Sequence, residues 1–336
     1  MEVLENQPLS KYVSMRLGGP ARFVVHASTE QELTEAASFA KEHTLPLLAL
    51  GDGTNVIFND EGYDGVVVIN GFKGISISET GLVTAGSGEN WDDLVERTVE
   101  AGLAGIEALS LVPGTVGGAP VNNIGAYGQE IRDTLVSVRA FDTQTNEFVT
   151  IPNNECAFEY RTSRFKAADH GRFIITEVTL QLHKTGDDYT APGYQALLAR
   201  LEKEQITHPT LQNVRNAIIA IRNQKLPDPK IIANSGSFFK NAIVDAETVE
   251  KIKAQYPDVP VYPYEHKFKI PAGWLIETAG LKNSREHGIW VYDKQALVLV
   301  NETATSFTDL QAMADHITKT VYEKFGIELI TEPELL

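Results

Sequence analysis

The sequence predicts an α+β protein of two or three domains, and three observations support this fold class. At 336 residues the chain exceeds the length of one average domain. Its first part, to about residue 68, contains a helix, a strand, a glycine turn and another strand. Two glycine-rich stretches, residues 110–128 and 236–241, then interrupt further runs of strand and helix patterns. We therefore expect sheets and helices in each part of the chain.

The N-terminal elements have clear local signals. A helix is predicted after Ser28, which matches a capping box with Gln31, and it ends before Pro46. Residues 47–50 form an apolar run that predicts a buried strand, and residues 65–70 predict another. Between these strands lies the glycine turn.

The central part alternates between strand patterns and one helix pattern. Strands are predicted at residues 82–85, 136–141, 147–151 and 173–182, and a helix at residues 91–101. Residues 184–195 are polar and turn-rich, and the segment that follows them, to residue 204, is helical in pattern.

Three helices are predicted in the last third. The first carries the apolar stripe Val214, Ile218 and Ile221. The second follows Asp245 as N-cap and runs to residue 256.

The third of these helices has Thr308 and Gln311 as a capping box. Gly326 is predicted to end it.

Composition excludes several classes of protein. Asp and Glu outnumber Lys and Arg by 45 to 29, a net charge of −16, which argues against nucleic acid or an anionic membrane as the main partner. Cys156 is the only cysteine, so neither an intrachain disulfide nor a cysteine-based zinc cluster can form. No stretch approaches the roughly 18 apolar residues of a membrane span, and the first residues lack a signal-peptide pattern. We expect a cytoplasmic protein.

The sequence also gives no support for a metalloenzyme or for an α/β-hydrolase. The eight histidines show no metal-binding spacing, and the sequence has no Gly-x-Ser-x-Gly elbow. No metal site is expected.

Two glycine-rich stretches could hold a phosphate-containing cofactor. Residues 51–55 (GDGTN) follow a strand with closely spaced backbone N–H groups, although they match neither common nucleotide loop. Residues 110–128 offer many unshielded backbone donors and acceptors, suited to a large planar cofactor and its pyrophosphate. A tight turn and an irregular buried loop remain the structural alternatives.

Three polar residues are candidates for catalytic roles. Arg161 can offer bidentate donors to a carboxylate, and Ser237, between Gly236 and Phe238, could donate a proton. Glu334 is an acidic residue near the end of the sequence. The alternatives are a surface ion pair, a structural serine in a turn and a solvated carboxylate.

Taken in order, these motifs resemble the UDP-N-acetylenolpyruvoylglucosamine reductase family, flavoenzymes of bacterial wall synthesis. The resemblance covers nearly the whole chain. It is carried by LGDGTNVIF, AGSGENW, LVPGTVGGAPVNNIGAYG, FEYRTSRF, KLPDPK, GSFFKN, PAGWLIE, KQALVLVN, FGIEL and EPE. Where the family pattern has Asn-Thr-Phe, this chain has Val13-Ser14-Met15.

The resemblance implies a three-domain FAD-binding flavoprotein of the PCMH/VAO-like type. Residues 1–68 and 69–208 would form the two FAD-binding subdomains, and residues 209–326 a separate α+β substrate-binding domain. The tail, 327–336, would return to the first subdomain or to the active site. FAD would be non-covalent and NADPH a co-substrate.

The resemblance also implies roles for individual residues. Ser237 would be the general acid, with Arg161 and Glu334 facing the enolpyruvyl carboxylate. The residues that would hold FAD are Gly51, Asp52, Gly53, Thr54, Asn55, Pro113, Gly114, Gly117, Asn123, Gly125, Ala126 and Tyr127. Those that would bind the UDP-sugar are Tyr194, Lys225, Asn241, Tyr262, Lys269 and Gln295. Tyr194 would identify the family type that has a mobile tyrosine-bearing insertion.

The implied reaction is the NADPH-driven reduction of UDP-N-acetylglucosamine enolpyruvate to UDP-N-acetylmuramate, in a ping-pong cycle. Two alternatives stay open: another FAD-linked oxidase of the same wider fold, and a binding protein without catalysis. The polar centre of Arg161, Ser237 and Glu334 argues against the second alternative.

Overall fold

The protein is α+β and divides into two compact units. The computed structural model describes residues 1–186 and 189–336; Asp187 and Asp188, within the predicted turn-rich segment, lie outside the described residues. The first unit comprises Met1–Gln7, Ala21–Asp52 and Tyr63–Gln224. The second comprises Pro8–Pro20, Gly53–Gly62 and Lys225–Leu336. The three-domain division at residues 68 and 208 stays a prediction.

The first unit begins with a four-stranded sheet. Its strands are β1 (Val3–Pro8), β2 (Pro20–Ala27), β3 (Leu47–Leu50) and β5 (Tyr63–Asn70), in the order β1-β2-β5-β3. Strands β2 and β3 both pair with β5 in parallel. Helix α1 (Glu30–Glu42) packs Leu33, Ala36 and Ala40 against the valines of this sheet. The predicted strands and helix are confirmed.

The N-cap of α1 is Thr29, so the predicted capping box at Ser28 and Gln31 is wrong by one residue. The Thr29 hydroxyl accepts a hydrogen bond from the Glu32 N–H, and the Glu32 carboxylate accepts one from the Ser28 N–H at 2.8 Å. Ser28 and Thr29 are adjacent, and the hydroxyl of either residue can cap the N-terminus of a helix. A carboxylate is a stronger acceptor than the amide of Gln31, which favours the later position.

A second, antiparallel sheet forms the rest of the first unit. Its strands are β6 (Ile75–Ile77), β7 (Leu82–Gly86), β11 (Leu135–Asp142), β12 (Glu147–Pro152) and β13 (Phe173–Gln181), in the order β12-β11-β13-β7-β6. Helix α2 (Trp91–Glu100) begins at Asn90, whose side chain accepts from two backbone N–H groups. Helix α2 and the four longer strands agree with the sequence prediction to within a residue or two, whereas β6 was not predicted.

Four short strands and three helices complete this unit. They are β8 (Leu103–Ala104), α3 (Gly118–Val121), β9 (Gly125–Ala126), β10 (Gln129–Glu130), β14 (His183–Lys184), α4 (Gln195–Lys203) and α5 (Leu211–Lys225). The predicted stripe Val214, Ile218 and Ile221 on α5 is buried. Cys156 is also buried here, and burial raises the pKa of its thiol to about 11.

The second unit combines a four-stranded and a three-stranded antiparallel sheet with three helices. In spatial order, the strands of the four-stranded sheet are β15 (Asn234–Ser237), β21 (Val298–Asn301), β20 (Ile289–Val291) and β19 (Arg285–Glu286). Those of the three-stranded sheet are β16 (Ala242–Val244), β18 (Lys267–Ile270) and β17 (Tyr262–Tyr264). The helices are α6 (Ala246–Gln255), α7 (Ala272–Thr278) and α8 (Phe307–Phe325). Strand β4 (Val56–Ile57) pairs in parallel with β22 (Glu334–Leu335).

Helix α8 begins at Ser306, so the predicted capping box at Thr308 and Gln311 is wrong. The Ser306 hydroxyl accepts from the Asp309 N–H, whereas the Thr308 hydroxyl donates to Asp60 inside the first turn. The predicted stop is confirmed, because Gly326 ends the helix with a left-handed φ of 68°.

Asp245 is the N-cap of α6, as predicted. No helix in the described part of the chain is long and apolar enough to cross a membrane.

Candidate active site

The glycine turn at residues 51–55 fits a bound phosphate. Side chains are excluded at two positions: a Cβ on Gly51 would overlap Thr115 Oγ1, and one on Gly53, which has a φ of 59°, would overlap the Tyr12 carbonyl oxygen. In the described chain, no protein acceptor takes a hydrogen bond from the backbone N–H groups of residues 51–55. Consecutive backbone donors of this kind bind phosphate oxygens.

The loop at residues 110–128 has an unusual backbone. Five of its residues have positive φ: Leu111 (59°), Gly114 (117°), Asn123 (40°), Tyr127 (49°) and Gly128 (88°). Non-glycine residues seldom adopt this conformation, and clusters of them occur at ligand-binding sites. The backbone of this loop is therefore typical of a ligand-binding site rather than of a simple connection between elements.

Side chains from α2 and α5 hold the start of this loop. The Leu111 N–H donates to Asp92, whose carboxylate is also bound by Arg215 at 2.6 and 3.1 Å. The Leu111 carbonyl accepts from Arg222 Nε at 3.2 Å. Leu111 is thus fixed from both sides in its strained conformation.

Arg161 lies against the end of the same loop. Its guanidinium donates to the Gly125 carbonyl at 2.8 Å, and its own backbone has a φ of 56°. Asn123 is fully buried, and its amide donates to the Glu159 carbonyl and to Glu130 at 2.9 and 3.0 Å. Asn123 therefore shapes the loop, and a contact between Asn123 and a cofactor stays a prediction.

Arg222 is a site residue that the sequence analysis missed. Its Nε donates to the Leu111 carbonyl, and burial, with a smaller contribution from the charge of Arg161, lowers the pKa of its guanidinium against the opposing effects of Tyr127 and Asp92. Arg222 follows the buried Arg215 by seven residues and so lies on the same face of α5, but the burial of this face is visible only in the folded structure.

Tyr194 is brought to Tyr127. The two rings lie 5.3 Å apart, edge to face, and the Tyr194 side chain is 47% exposed. Tyr127 and Gly128 are the turn of the β9–β10 hairpin, where both central residues need positive φ. A predicted substrate residue and a predicted cofactor residue are therefore neighbours in the first unit.

Ser237 ends a bulged strand in the second unit. Asn234 pairs with Val300 and Ser237 with Val298, so β15 has one residue more than β21 between these two pairs. Bulges of this kind redirect side chains and are common beside active sites. At the bulge Gly236 has a φ of 72°, and a Cβ there would meet nothing within 4 Å.

The Ser237 hydroxyl is half-buried. In the part of the chain that is described, no side chain or carbonyl hydrogen-bonds it. Its side chain can therefore reach a ligand without breaking a protein contact.

The C-terminal tail runs beside the strand that carries Ser237. The Glu332 N–H donates to the Phe238 carbonyl at 2.9 Å, and the Lys240 N–H donates to the Ile330 carbonyl at 2.8 Å. The Glu334 N–H then donates to the Asn55 carbonyl at 3.0 Å. Glu334 is thus fixed by backbone bonds within the second unit.

Four predicted substrate residues lie near the start of α7. Asn241 Oδ1 accepts from the Ala272 N–H at 3.1 Å. A Cβ on Gly273 would lie 2.8 Å from Gln295 Oε1. Tyr262 and Lys269 are paired across β17 and β18.

Lys225, the remaining predicted substrate residue of this unit, is exposed at the end of α5. In the described chain no group of three or more His, Cys, Asp or Glu residues could hold a metal ion.

Two family models match parts of the chain. Residues 21–151 match the FAD binding domain, and residues 228–336 match the C-terminal domain of UDP-N-acetylenolpyruvoylglucosamine reductase. The first match includes the glycine turn and the strained loop, which both fit a phosphate-containing cofactor. The fold and the site thus define an FAD-binding oxidoreductase.

Relatives extend this comparison to the whole chain. The chain is 41% identical to UDP-N-acetylenolpyruvoylglucosamine reductase of Ralstonia nicotianae, with 98% of each chain covered. It is 43% identical to the reductase of that name from Cupriavidus pinatubonensis, over 99% of this chain and 98% of the other. The crystal structure of the Thermus caldophilus reductase is 24% identical, with a TM-score of 0.69 over 99% of this chain and 98% of that chain. The chain belongs to the UDP-N-acetylenolpyruvoylglucosamine reductase family.

Proposed function

We propose that the protein reduces UDP-N-acetylglucosamine enolpyruvate to UDP-N-acetylmuramate, a peptidoglycan precursor, with NADPH as the electron donor and FAD bound non-covalently. The observation that carries this proposal is the half-buried Ser237 hydroxyl at the β15 bulge, beside the open space in front of Gly236. A hydroxyl in this position suits proton delivery to a bound molecule.

FAD would be held by the glycine turn at residues 51–55 and by the glycine-rich loop at residues 110–128. The pyrophosphate would take hydrogen bonds from the N–H groups of residues 51–55, which have no protein acceptor in the described chain. Residues 113–117 and 123–127 would surround the remainder. When bound, FAD supplies the hydride that is added to the enolpyruvyl group, after NADPH has provided the electrons.

Arg161 would stabilise the charge that the reaction creates. Hydride addition to the terminal carbon of the enol ether places negative charge on the neighbouring carbon, where it is delocalised into the carboxylate. A fixed guanidinium stabilises this charge more in the transition state than in the ground state, which lowers the barrier. The hydrogen bond from Arg161 to Gly125 supports this role, because it fixes the guanidinium in advance.

Ser237 would give its proton to that carbon. Serine is a weak acid, so it can act only at close range on a strongly basic carbanion. Glu334, if protonated, would donate a hydrogen bond to the developing charge. The backbone bond from Glu334 to Asn55 supports this role, because it limits the movement of the residue.

The UDP-sugar would be bound by Tyr194, Lys225, Asn241, Tyr262, Lys269 and Gln295. Two of these are lysines, which complement a diphosphate, and two are tyrosines, which can stack on uracil or donate to phosphate. The grouping of Asn241, Lys269 and Gln295 near the start of α7 supports this assignment.

NADPH and the UDP-sugar would use one site in turn, in a ping-pong cycle. Both are metabolites of the bacterial cytoplasm, so the proposal includes a cytoplasmic location. Steady-state kinetics with both substrates varied, and mass spectrometry of the product, test the proposal. Parallel double-reciprocal plots and a product two hydrogen atoms heavier than the enolpyruvyl sugar are expected. Intersecting plots contradict the ping-pong order, and an unchanged sugar contradicts the reaction.

A further inference from the structure

Tyr189 and the buried Glu107 form a part-buried contact that none of the proposed roles uses. The Tyr189 hydroxyl donates to Glu107 Oε1 at 2.9 Å, and only 2% of Glu107 is exposed. Burial, followed by the negative charge of Glu107, raises the pKa of Tyr189 above its ordinary value. The phenol therefore keeps its proton and remains a donor throughout the physiological pH range.

The Glu107 carboxylate also joins the two ends of the glycine-rich loop. Glu107 lies three residues before residues 110–128, and Gln129 follows them directly. Gln129 Nε2 donates to Glu107 Oε1 at 2.9 Å, and Gln129 Oε1 accepts from the Ala108 N–H at 2.8 Å. The second oxygen of Glu107 accepts from the Gly105 N–H at 2.7 Å. The buried Glu107 carboxylate thus connects the residues that precede the loop with Gln129, which follows it.

Tyr189 begins the segment that leads to Tyr194. The rings of Tyr189 and Tyr127 both pack against the buried cluster that α4 and α5 form around Leu197 and Ile218. Five residues further on, Tyr194 meets Tyr127 edge to face. The segment is therefore attached to the loop at a part-buried polar contact and at a more exposed ring contact.

We propose that Tyr189 is a positioning residue, which through Glu107 fixes the base of the Tyr194-bearing segment to the glycine-rich loop and so presents Tyr194 to the UDP-sugar. This inference rests on the proposed function for its substrate. A hydrogen bond to a buried carboxylate is directional and strong, whereas a half-exposed ring contact leaves the segment freedom to move. Tyr189 is then the fixed end, and Tyr194 the adjustable end, of the segment.

The variant Tyr189→Phe removes only the hydroxyl and leaves the ring packed. We expect KM for the UDP-sugar to rise about tenfold, the free-energy equivalent of one hydrogen bond to a charged group. The rate of flavin reduction by NADPH and the affinity for FAD should change less than about twofold. The matched control is Tyr322→Phe, the same deletion at an exposed tyrosine of α8, which should change none of these quantities.

A double-mutant cycle with Tyr194→Ala separates positioning from general stability. If Tyr189 acts through Tyr194, Tyr189→Phe raises KM in the wild-type background and has no further effect in the Tyr194→Ala background. Equal effects in both backgrounds, or an unchanged KM in Tyr189→Phe, overturn the proposal.

Hydrogen–deuterium exchange tests the anchor without turnover. Tyr189→Phe should speed exchange of the amides of residues 190–198 and leave β11 and β13 unchanged. Unchanged exchange at residues 190–198 overturns the anchor. If the wild-type protein does not act on the UDP-sugar, the proposed function fails, while this measurement still decides whether the anchor exists.

Glu107→Leu provides a second variant. Leucine has a similar size and no acceptor oxygen, so the loop loses its contacts at Gly105 and Gln129, and the segment loses its contact at Tyr189. We expect weaker FAD binding, measured by flavin fluorescence, together with faster exchange at residues 190–198. Wild-type values for both contradict the proposed link between loop and segment.

Discussion

The hydroxyl of Ser14 donates a hydrogen bond of 2.6 Å to the carbonyl oxygen of Asn234, the first residue of the bulged strand that ends at Ser237. The Ser14 N–H donates to the Gly53 carbonyl at 3.1 Å. One residue of the second unit thus connects the end of the glycine turn with the start of the bulge. Ser14 stands where the family pattern has threonine, so the hydroxyl is retained.

Ser14→Ala should lower the free energy of unfolding by about 1–2 kcal/mol, because the buried Asn234 carbonyl loses its donor. Ser14→Thr restores the hydroxyl and should recover most of this loss. Urea denaturation followed by circular dichroism measures both variants. An alanine variant as stable as the wild type would show that the hydrogen bond contributes nothing.

Ser237→Ala should leave flavin reduction by NADPH nearly intact and slow reoxidation by the enolpyruvyl sugar about 10²–10⁴-fold. Proton delivery occurs only in the second half-reaction, and stopped-flow absorbance measures each half-reaction separately. The control is Ser235→Ala, which removes a buried hydroxyl that has no hydrogen-bond partner in the described chain. Equal damage to both half-reactions would assign Ser237 to structure or to flavin binding instead.

Gly53→Ala should destabilise the protein by more than about 3 kcal/mol. The left-handed φ of 59° disfavours any side chain, and the added Cβ would overlap the Tyr12 carbonyl oxygen. Gly193→Ala is the control, since its Cβ would meet nothing within 4 Å and its φ is not in the positive range. Similar chemical-denaturation midpoints for the two variants would show that the turn can rearrange.

Asp142 should make stability depend on pH at the acid end. Hydrogen bonds from Arg172, at 2.7 and 3.1 Å, hold the pKa of the Asp142 carboxyl below its ordinary value. The ionised form is therefore favoured by folding. Its contribution is fully present above the unfolded pKa of about 3.9 and is lost as the pH falls through the lower folded pKa.

Asp142→Asn should reduce stability at neutral pH by about 2 kcal/mol and flatten the decline below pH about 4. Thermal unfolding between neutral and acid pH measures both effects. A parallel pH profile in wild type and variant would exclude the Asp142–Arg172 pair as a source of acid sensitivity.

Local sequence signals predicted the longer helices, the main strands of the first unit and two caps, Asp245 and Gly326, but not the short strands of the second unit or the N-caps of α1 and α8. Strand β3 and the stop at Gly326 follow from an apolar run and from a glycine, which act within a few residues. The caps at Thr29 and Ser306 were missed by one and two residues, because several neighbouring hydroxyls can accept the same N–H. Competing local interactions of similar energy cannot be ranked without their surroundings.

The candidate site, too, could be predicted from the sequence only in part. Glycine-rich stretches and the position of Ser237 are visible in the sequence, since they depend on residue type within one segment. The contacts of Arg222 with Leu111 and of Tyr189 with Glu107 join residues about eighty or more positions apart. Such contacts depend on how the strands between them fold, and nothing local in the sequence indicates them.

The proposed reaction requires one bound FAD to carry electrons from NADPH to the enolpyruvyl sugar. The most direct test is the visible spectrum of the purified protein under anaerobic conditions. We predict a yellow protein whose flavin absorbance is bleached by NADPH and recovers when UDP-N-acetylglucosamine enolpyruvate is added. Folded protein that takes up no FAD, or a bleached flavin that the sugar does not reoxidise, would contradict it.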